Sequence, residues 1–220
     1  MTRKLALLGA AILAVAVGYV AWTGNTPGST ALVAPANAQA TDVDTSSIVE
    51  MSLGKEDAPV TIVEYASFTC PHCAAFHQDN FKRLKADFID TGKVRLVYHD
   101  VYFDKYGLWA SLIARCGGPE KFFGITDMIY KTQSTWARAE EPNGIVEELK
   151  KIGRLAGLEN EQIDACIKDQ TKAETLVAWF QKNAAADQIN ATPSFVINGK
   201  LVKNMPYDEF KAVIDAELAK

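Results

Sequence analysis

The sequence predicts an α/β fold carrying an inserted helical subdomain, and three patterns point to it. A strand, a helix and a second strand follow one another between residues 60 and 99. From 107 to 187 the apolar spacing is almost wholly helical. A hairpin and a last helix then occupy residues 194 to 218.

Taken in order, Gly54-Lys55-Glu56-Asp57-Ala58-Pro59 reads as a turn. Val60-Thr61-Ile62-Val63-Glu64-Tyr65 is rich in branched and aromatic residues, as a buried strand is. A helix is expected after Cys70, because Cys73, His77, Phe81, Leu84 and Phe88 recur at four- and three-residue steps along one face. Val94 to His99 supplies the second strand, and a single helical crossover between two strands makes them parallel. Helical patterns then span 108–115, 121–133, 145–155, 163–168 and 173–186, punctuated by Gly117-Gly118-Pro119, Glu141-Pro142-Asn143-Gly144 and Gly157. Asn198-Gly199 joins Ser194–Ile197 to Lys200–Lys203, a strong hairpin signal. Pro206 opens a closing amphipathic helix from Tyr207 to Leu218. The expected organisation is an α/β domain over 51–105 and 173–220, interrupted by a helical subdomain over 106–172. No internal repeat is present.

Ahead of this lies a leader. Arg3 and Lys4 precede Leu5 to Trp22, a run without a charge, and Ala-x-Ala cleavage sites follow at Ala36-Asn37-Ala38 and Ala38-Gln39-Ala40. The run is long for a signal peptide and its cleavage sites lie far downstream, so residues 1–40 read as either a signal peptide or an uncleaved membrane anchor. Both place residue 41 onward outside the cytoplasm, and 41–50 reads as a flexible linker. Beyond residue 40 the chain carries 21 basic and 27 acidic groups. No basic cluster stands out, which argues against nucleic acid as a partner.

In an exported chain four cysteines are expected to pair. Three connectivities exist on paper. Cys70 and Cys73 share a local motif, which leaves Cys116 with Cys166 as the complement. That bridge closes a loop of about fifty residues, worth ~4 kcal/mol by chain-entropy reasoning. It reads first as a structural brace, with a second redox pair as the alternative.

Cys70-Pro71-His72-Cys73 carries the chemistry. Proline is favoured at the first helical position, which makes Cys70 the N-cap, facing the free N–H groups of His72 and Cys73 at the positive end of the helix dipole. A thiolate is favoured there, and a protonated His72 adds a nearby cation. Cys73, one turn inside, is the less accessible sulfur. Exposed Cys70 therefore reads as the sulfur that exchanges with substrate and Cys73 as the resolving one. Each unit by which the Cys70 pKa falls favours the reduced form by about 1.4 kcal/mol, or ~30 mV. A pKa near ~4 would make the disulfide ~90 mV more oxidising than that of a thiol titrating at neutrality.

The run Glu64-Tyr65-Ala66-Ser67-Phe68-Thr69-Cys70-Pro71-His72-Cys73, with Ala191-Thr192-Pro193-Ser194 ahead of the hairpin, resembles the active-site segments of DsbA-like thiol–disulfide oxidoreductases of the thioredoxin superfamily. The resemblance spans about residues 48–220. It implies a thioredoxin fold with an inserted helical subdomain, and Thr192-Pro193 as a cis-proline loop that faces the disulfide and binds extended substrate. It also implies Glu64 as a buried acid beneath the site, able to take a proton from Cys73. Phe68, by its position beside the cysteines, reads as a contributor to an apolar substrate groove. Four residues after the second cysteine many relatives carry Glu. Here His77 stands in its place, which points to different proton handling at Cys73.

The function expected is a monomeric periplasmic dithiol oxidase that introduces disulfides into reduced exported proteins. The resemblance implies a quinone-linked, DsbB-like membrane protein that would reoxidise it, and the redox-active Cys70–Cys73 pair would serve in place of a cofactor. Disulfide isomerase or reductase is the alternative within the same chemistry, since Thr before the cis proline is shared with isomerase relatives. From another class, copper or zinc handling would use Cys70, Cys73, His72 and His77. For individual residues the plainer readings are a packed core histidine at 77, a solvated strand end at Glu64 and burial of Phe68.

Overall fold

A computed structural model describes residues 43–139 and 141–220. The expected leader and the first residues of the linker lie outside them. Among the described residues no helix is long and apolar enough to cross a membrane.

Five strands form one mixed sheet in the order β1-β3-β2-β4-β5: β1 (Met51–Leu53), β2 (Val60–Ala66), β3 (Val94–Asp100), β4 (Ser194–Ile197) and β5 (Lys200–Lys203). β2 and β3 run parallel, and every other pairing is antiparallel. β2 lies at the centre, where both faces are covered, which explains its near-continuous apolar run. β1 is absent from the sequence reading because three residues are too few to show an alternation. It is defined by its pairing of Met51 with Tyr98 and Leu53 with Leu96. Gly54 then turns the chain with φ +94°, where a Cβ would lie 2.4 Å from the Val94 carbonyl oxygen. The linker also ends earlier than expected, because Val49 and Glu50 already bond Arg115 and Arg95.

On one face of the sheet pack α1 (Pro71–Leu84) and α8 (Tyr207–Leu218), enclosing Ile62, Phe76, Leu84, Leu96, Phe195, Phe210 and Ile214. The expected continuation of α1 through Phe88 widens into a π-helical turn, Lys85–Ile89, in which Phe88 and Ile89 are both buried. On the other face Tyr65, Val101 and Val196 meet Phe180 and Ala184 of α7 (Gln170–Ala186) and Ile189 just beyond it. At the hairpin Asn198 and Gly199 both adopt positive φ, as a two-residue turn with matching twist requires.

Between β3 and α7 come α2 (Lys105–Cys116), α3 (Gly118–Lys131), α4 (Gln133–Trp136), α5 (Pro142–Leu155) and α6 (Asn160–Lys168). They are an insertion in chain order only. Their core, including Ile113, Phe122, Ile129, Trp136 and Leu149, is continuous with Ala66, Phe68, Cys70 and Cys73. The division at 106 and 172 therefore cuts through one shared core, and the described residues form one compact unit. Cys116 is bonded to Cys166, joining α2 to α6 across 50 residues of chain.

Arg115 fastens α2 to the sheet. Its guanidinium donates to Asp100 Oδ2 at 2.9 and 2.6 Å and to the Val49 carbonyl at 3.0 Å, and it lies over the rings of Phe122 and Trp179. Both ionic side chains are buried, so removing one leaves the other charged and unpaired. Arg115→Met is expected to lower stability to urea by ~3–5 kcal/mol, with part of the loss recovered in the Asp100→Asn, Arg115→Met double variant. A loss under ~1 kcal/mol would show the pair to be dispensable.

Candidate active site

β2 delivers the chain to the site. Its even-numbered residues point toward α1 and its odd ones toward α7, so Ile62, Glu64 and Ala66 share the face on which α1 begins. The loop Ser67-Phe68-Thr69 follows, with the Cys70 N–H donating to the Ser67 carbonyl at 3.1 Å. Thr69 donates its hydroxyl to Asp104 Oδ2 at 2.8 Å. The other oxygen of Asp104 caps α2 by accepting from the N–H groups of Tyr106 and Gly107.

Cys70 is the N-cap of α1 and Pro71 its first helical residue, as the motif predicts. Cys70 and Cys73 are both free thiols. Cys70 is far less open than the expected exposed nucleophile, with 9% of its surface accessible against 0% for Cys73. The insert closes over this end of the helix, which explains the difference. The asymmetry between the sulfurs nonetheless runs in the expected sense.

The Cys70 thiol is lowered from 9.0 to about 5. Its largest cause is a hydrogen bond from the Cys73 thiol. Burial opposes this, and the side chain of Thr192 and the backbone N–H groups of Cys73 and His72 reinforce it. The helix end thus contributes less than the neighbouring sulfur, and Cys70 makes no well-formed cap hydrogen bond. His72 is exposed, and its backbone N–H is what acts on the sulfur. Cys73 moves the opposite way: burial pushes its thiol far up, and the adjacent Cys70 sulfur pushes it further.

Thr192-Pro193 is a cis peptide bond, and Cys70 Sγ donates to the Thr192 carbonyl at 3.5 Å. The loop expected from the resemblance therefore does face the nucleophile. Thr192 Oγ1 is buried and makes no well-formed hydrogen bond among the described residues, so its effect on the Cys70 sulfur is one of proximity.

Beneath the site Glu64 is wholly buried, which overturns the solvated strand-end reading. One of its oxygens meets His77 Nε2 at 2.8 Å and the other has no partner among the described residues. His77 is also buried, its ring stacked against Tyr130 at 4.4 Å and Phe81 at 4.8 Å. It is the packed core histidine of the plainer reading, but a paired one. The partnership was invisible in sequence, where the two residues lie on different elements.

Phe68 does not line a substrate groove. Its ring is buried at 2% exposure among Tyr98 and Tyr130, whose hydroxyls bond each other at 2.7 Å. A depression at the start of α1 is bordered instead by Pro71, Ala75, Lys131 and Arg138, a mixed polar and apolar rim. His99 lies in β3 on the α7 side, edge-on to Tyr65 and Trp179, and burial lowers it to about 4. Among the described residues no three His, Cys, Asp or Glu side chains converge to hold a metal ion, and His72 and His77 point to different surroundings.

A thioredoxin family model matches residues 46–216. A Rickettsia bellii protein, provisionally named a protein-disulfide oxidoreductase, is 37% identical over 167 residues, covering 76% of this chain and 63% of that protein. The chain thus spans less than two thirds of that relative's length. Disulfide bond formation protein D of Bacillus subtilis is 30% identical, with 76% of each chain covered. The crystal structure of Wolbachia pipientis α-DsbA1 superposes with a TM-score of 0.72 at 26% identity, covering 77% of this chain and 91% of that one. The chain belongs to the thioredoxin family. Within that family it falls in the DsbA-like branch, in which the fold carries a helical insertion.

Because the Cys73 thiol is the largest cause of the lowered Cys70 value, Cys73→Ala is expected to raise the Cys70 midpoint from about 5 by ~1–3 units. Ultraviolet thiolate absorbance of the reduced protein against pH reads this directly. An unmoved midpoint would assign the effect to the helix end instead.

Proposed function

We propose that this protein is an exported dithiol oxidase that passes the Cys70–Cys73 disulfide to reduced proteins. The observation that carries this reading is the opposed acidity of two adjacent sulfurs: Cys70 lowered to about 5 and Cys73 driven far up. A substrate thiolate attacks Cys70 Sγ of the oxidised pair, and the Cys70–Cys73 bond breaks. Cys73 leaves as a thiolate and, being buried, takes up a proton. Glu64, buried on the strand beneath and hydrogen-bonded to His77, is the acid assigned to this role. A second substrate thiolate then attacks the substrate sulfur of the mixed disulfide and expels Cys70. Two substrate thiols become a disulfide, and their two electrons remain on the cysteine pair.

The leaving thiolate sets the direction. A Cys70 that stays ionised at neutral pH stabilises the reduced enzyme, so the oxidised one readily gives its disulfide away. With a value near 5 the pair is ~60 mV more oxidising than one whose thiol titrates at neutrality, less than the ~90 mV anticipated from sequence. Thr192 and Pro193 lie where extended substrate would pass the sulfur. Periplasmic location, reduced exported proteins as substrates, a monomeric state and a quinone-linked membrane reoxidase complete the reading. Export rests on the charged and apolar leader, and the other features rest on the resemblance of the Cys70-Pro71-His72-Cys73 segment to DsbA-like active sites.

Two expectations follow for solution measurements. Equilibration with glutathione is expected to give a potential above the glutathione couple, with oxidative refolding activity abolished by Cys70→Ser. A potential at or below that couple would assign a reductase instead. Stability has a linked pH dependence. Because the folded Cys70 value lies below the unfolded one, its contribution is complete above about 9 and is lost as pH falls through about 5. Reduced protein is therefore expected to gain stability to urea between these limits, relative to the Cys70–Cys73-oxidised form, which lacks the titrating thiol.

A further inference from the structure

Gln133 is the first residue of α4 and stands 63 residues along the chain from Cys70. Its Nε2 lies 2.7 Å from the carbonyl oxygen of Phe68 and 2.9 Å from that of Cys70. A carboxamide NH2 has two hydrogens, so one nitrogen can serve both acceptors at once. The two carbonyls flank Thr69 and frame the last bend before α1. The Cys70 carbonyl already accepts the first intrahelical bond, from the Ala74 N–H at 3.2 Å. The amide adds a second donor to the same oxygen and holds the N-cap backbone at φ −81° and ψ 120°. That backbone angle decides where the Cys70 sulfur sits. Every influence that lowers its pKa, from the Cys73 thiol, Thr192 and the N–H groups of His72 and Cys73, depends on that position. Thr69 is tied to the insert as well, but only through its hydroxyl to Asp104. Gln133 grips the main chain itself.

We infer that Gln133 is a positioning residue, through which the helical insert holds the Cys70 backbone so that its sulfur stays against Cys73 and Thr192. This rests on the reading of Cys70 as the ionised nucleophile. It gives the insert a part in the chemistry beyond covering the core. Gln133 touches no reacting atom and acts through the loop.

The test is thiolate absorbance against pH in the full-length reduced chain, comparing wild type with Gln133→Met, which keeps length and helix preference but donates nothing. Gln133→Asn keeps the amide but is a methylene short of the loop. Lys121→Met serves as a control, since Lys121 Nζ clamps the carbonyls of Ala156 and Gly157 elsewhere in the insert. Both Gln133 variants are expected to raise the Cys70 midpoint by about one unit. That lowers the glutathione equilibrium constant for the reduced form about tenfold, or by ~30 mV. Lys121→Met is expected to cost stability without moving the midpoint. Gln133 variants that fold and titrate like wild type overturn the inference, as does a control that shifts equally. A wild-type midpoint near that of a free thiol would defeat the reading of Cys70. The difference between wild type and Gln133→Met would still decide the part played by Gln133.

Discussion

Two sulfur atoms held side by side in unequal surroundings are the constraint around which this molecule is arranged. Cys73 lies fully inside and cannot ionise cheaply, so it keeps its proton and donates it to Cys70. Cys70 lies at the rim, where a negative charge meets the Cys73 thiol, the Thr192 side chain and the start of α1. One hydrogen bond lowers one thiol and raises the other. In the proposed function, a pair so divided loses little by separating and resists being rejoined.

Burial on the inner side comes from the insert. Cys73 and Phe68 belong to the same apolar cluster as Ile129, Trp136 and Leu149, so the helices between β3 and α7 complete the wall behind the resolving sulfur. The same helices supply Asp104 and Gln133 to the loop that carries Cys70. The disulfide between α2 and α6 and the Arg115–Asp100 pair hold that wall against the sheet.

Glu64 and His77 show how an ionisable group is kept inside a central strand. Alone, a carboxylate there would be very costly. The imidazole, clasped between two aromatic rings, offers it a hydrogen bond. The second carboxylate oxygen has no partner among the described residues.

Much of this was present in local order along the chain. The period-two and period-3.6 patterns, Pro71 after Cys70 and Asn198-Gly199 between two short strands are local signals, and they located β2, β3, α1, the hairpin and α8. The Cys-Pro-His-Cys motif likewise marked the nucleophile, because helix-capping geometry depends on residues within one turn. Tertiary structure decided what depends on residues far apart. It buried Phe68, left Cys70 largely covered, paired Glu64 with His77, formed β1 and set Gln133 on the catalytic loop. Those outcomes turn on which surfaces exclude water and which donors meet across the core. Chain order by itself determined where the reactive sulfur would be. How acidic it is was decided by the local motif together with the burial and the Thr192 contact that only the tertiary structure supplies.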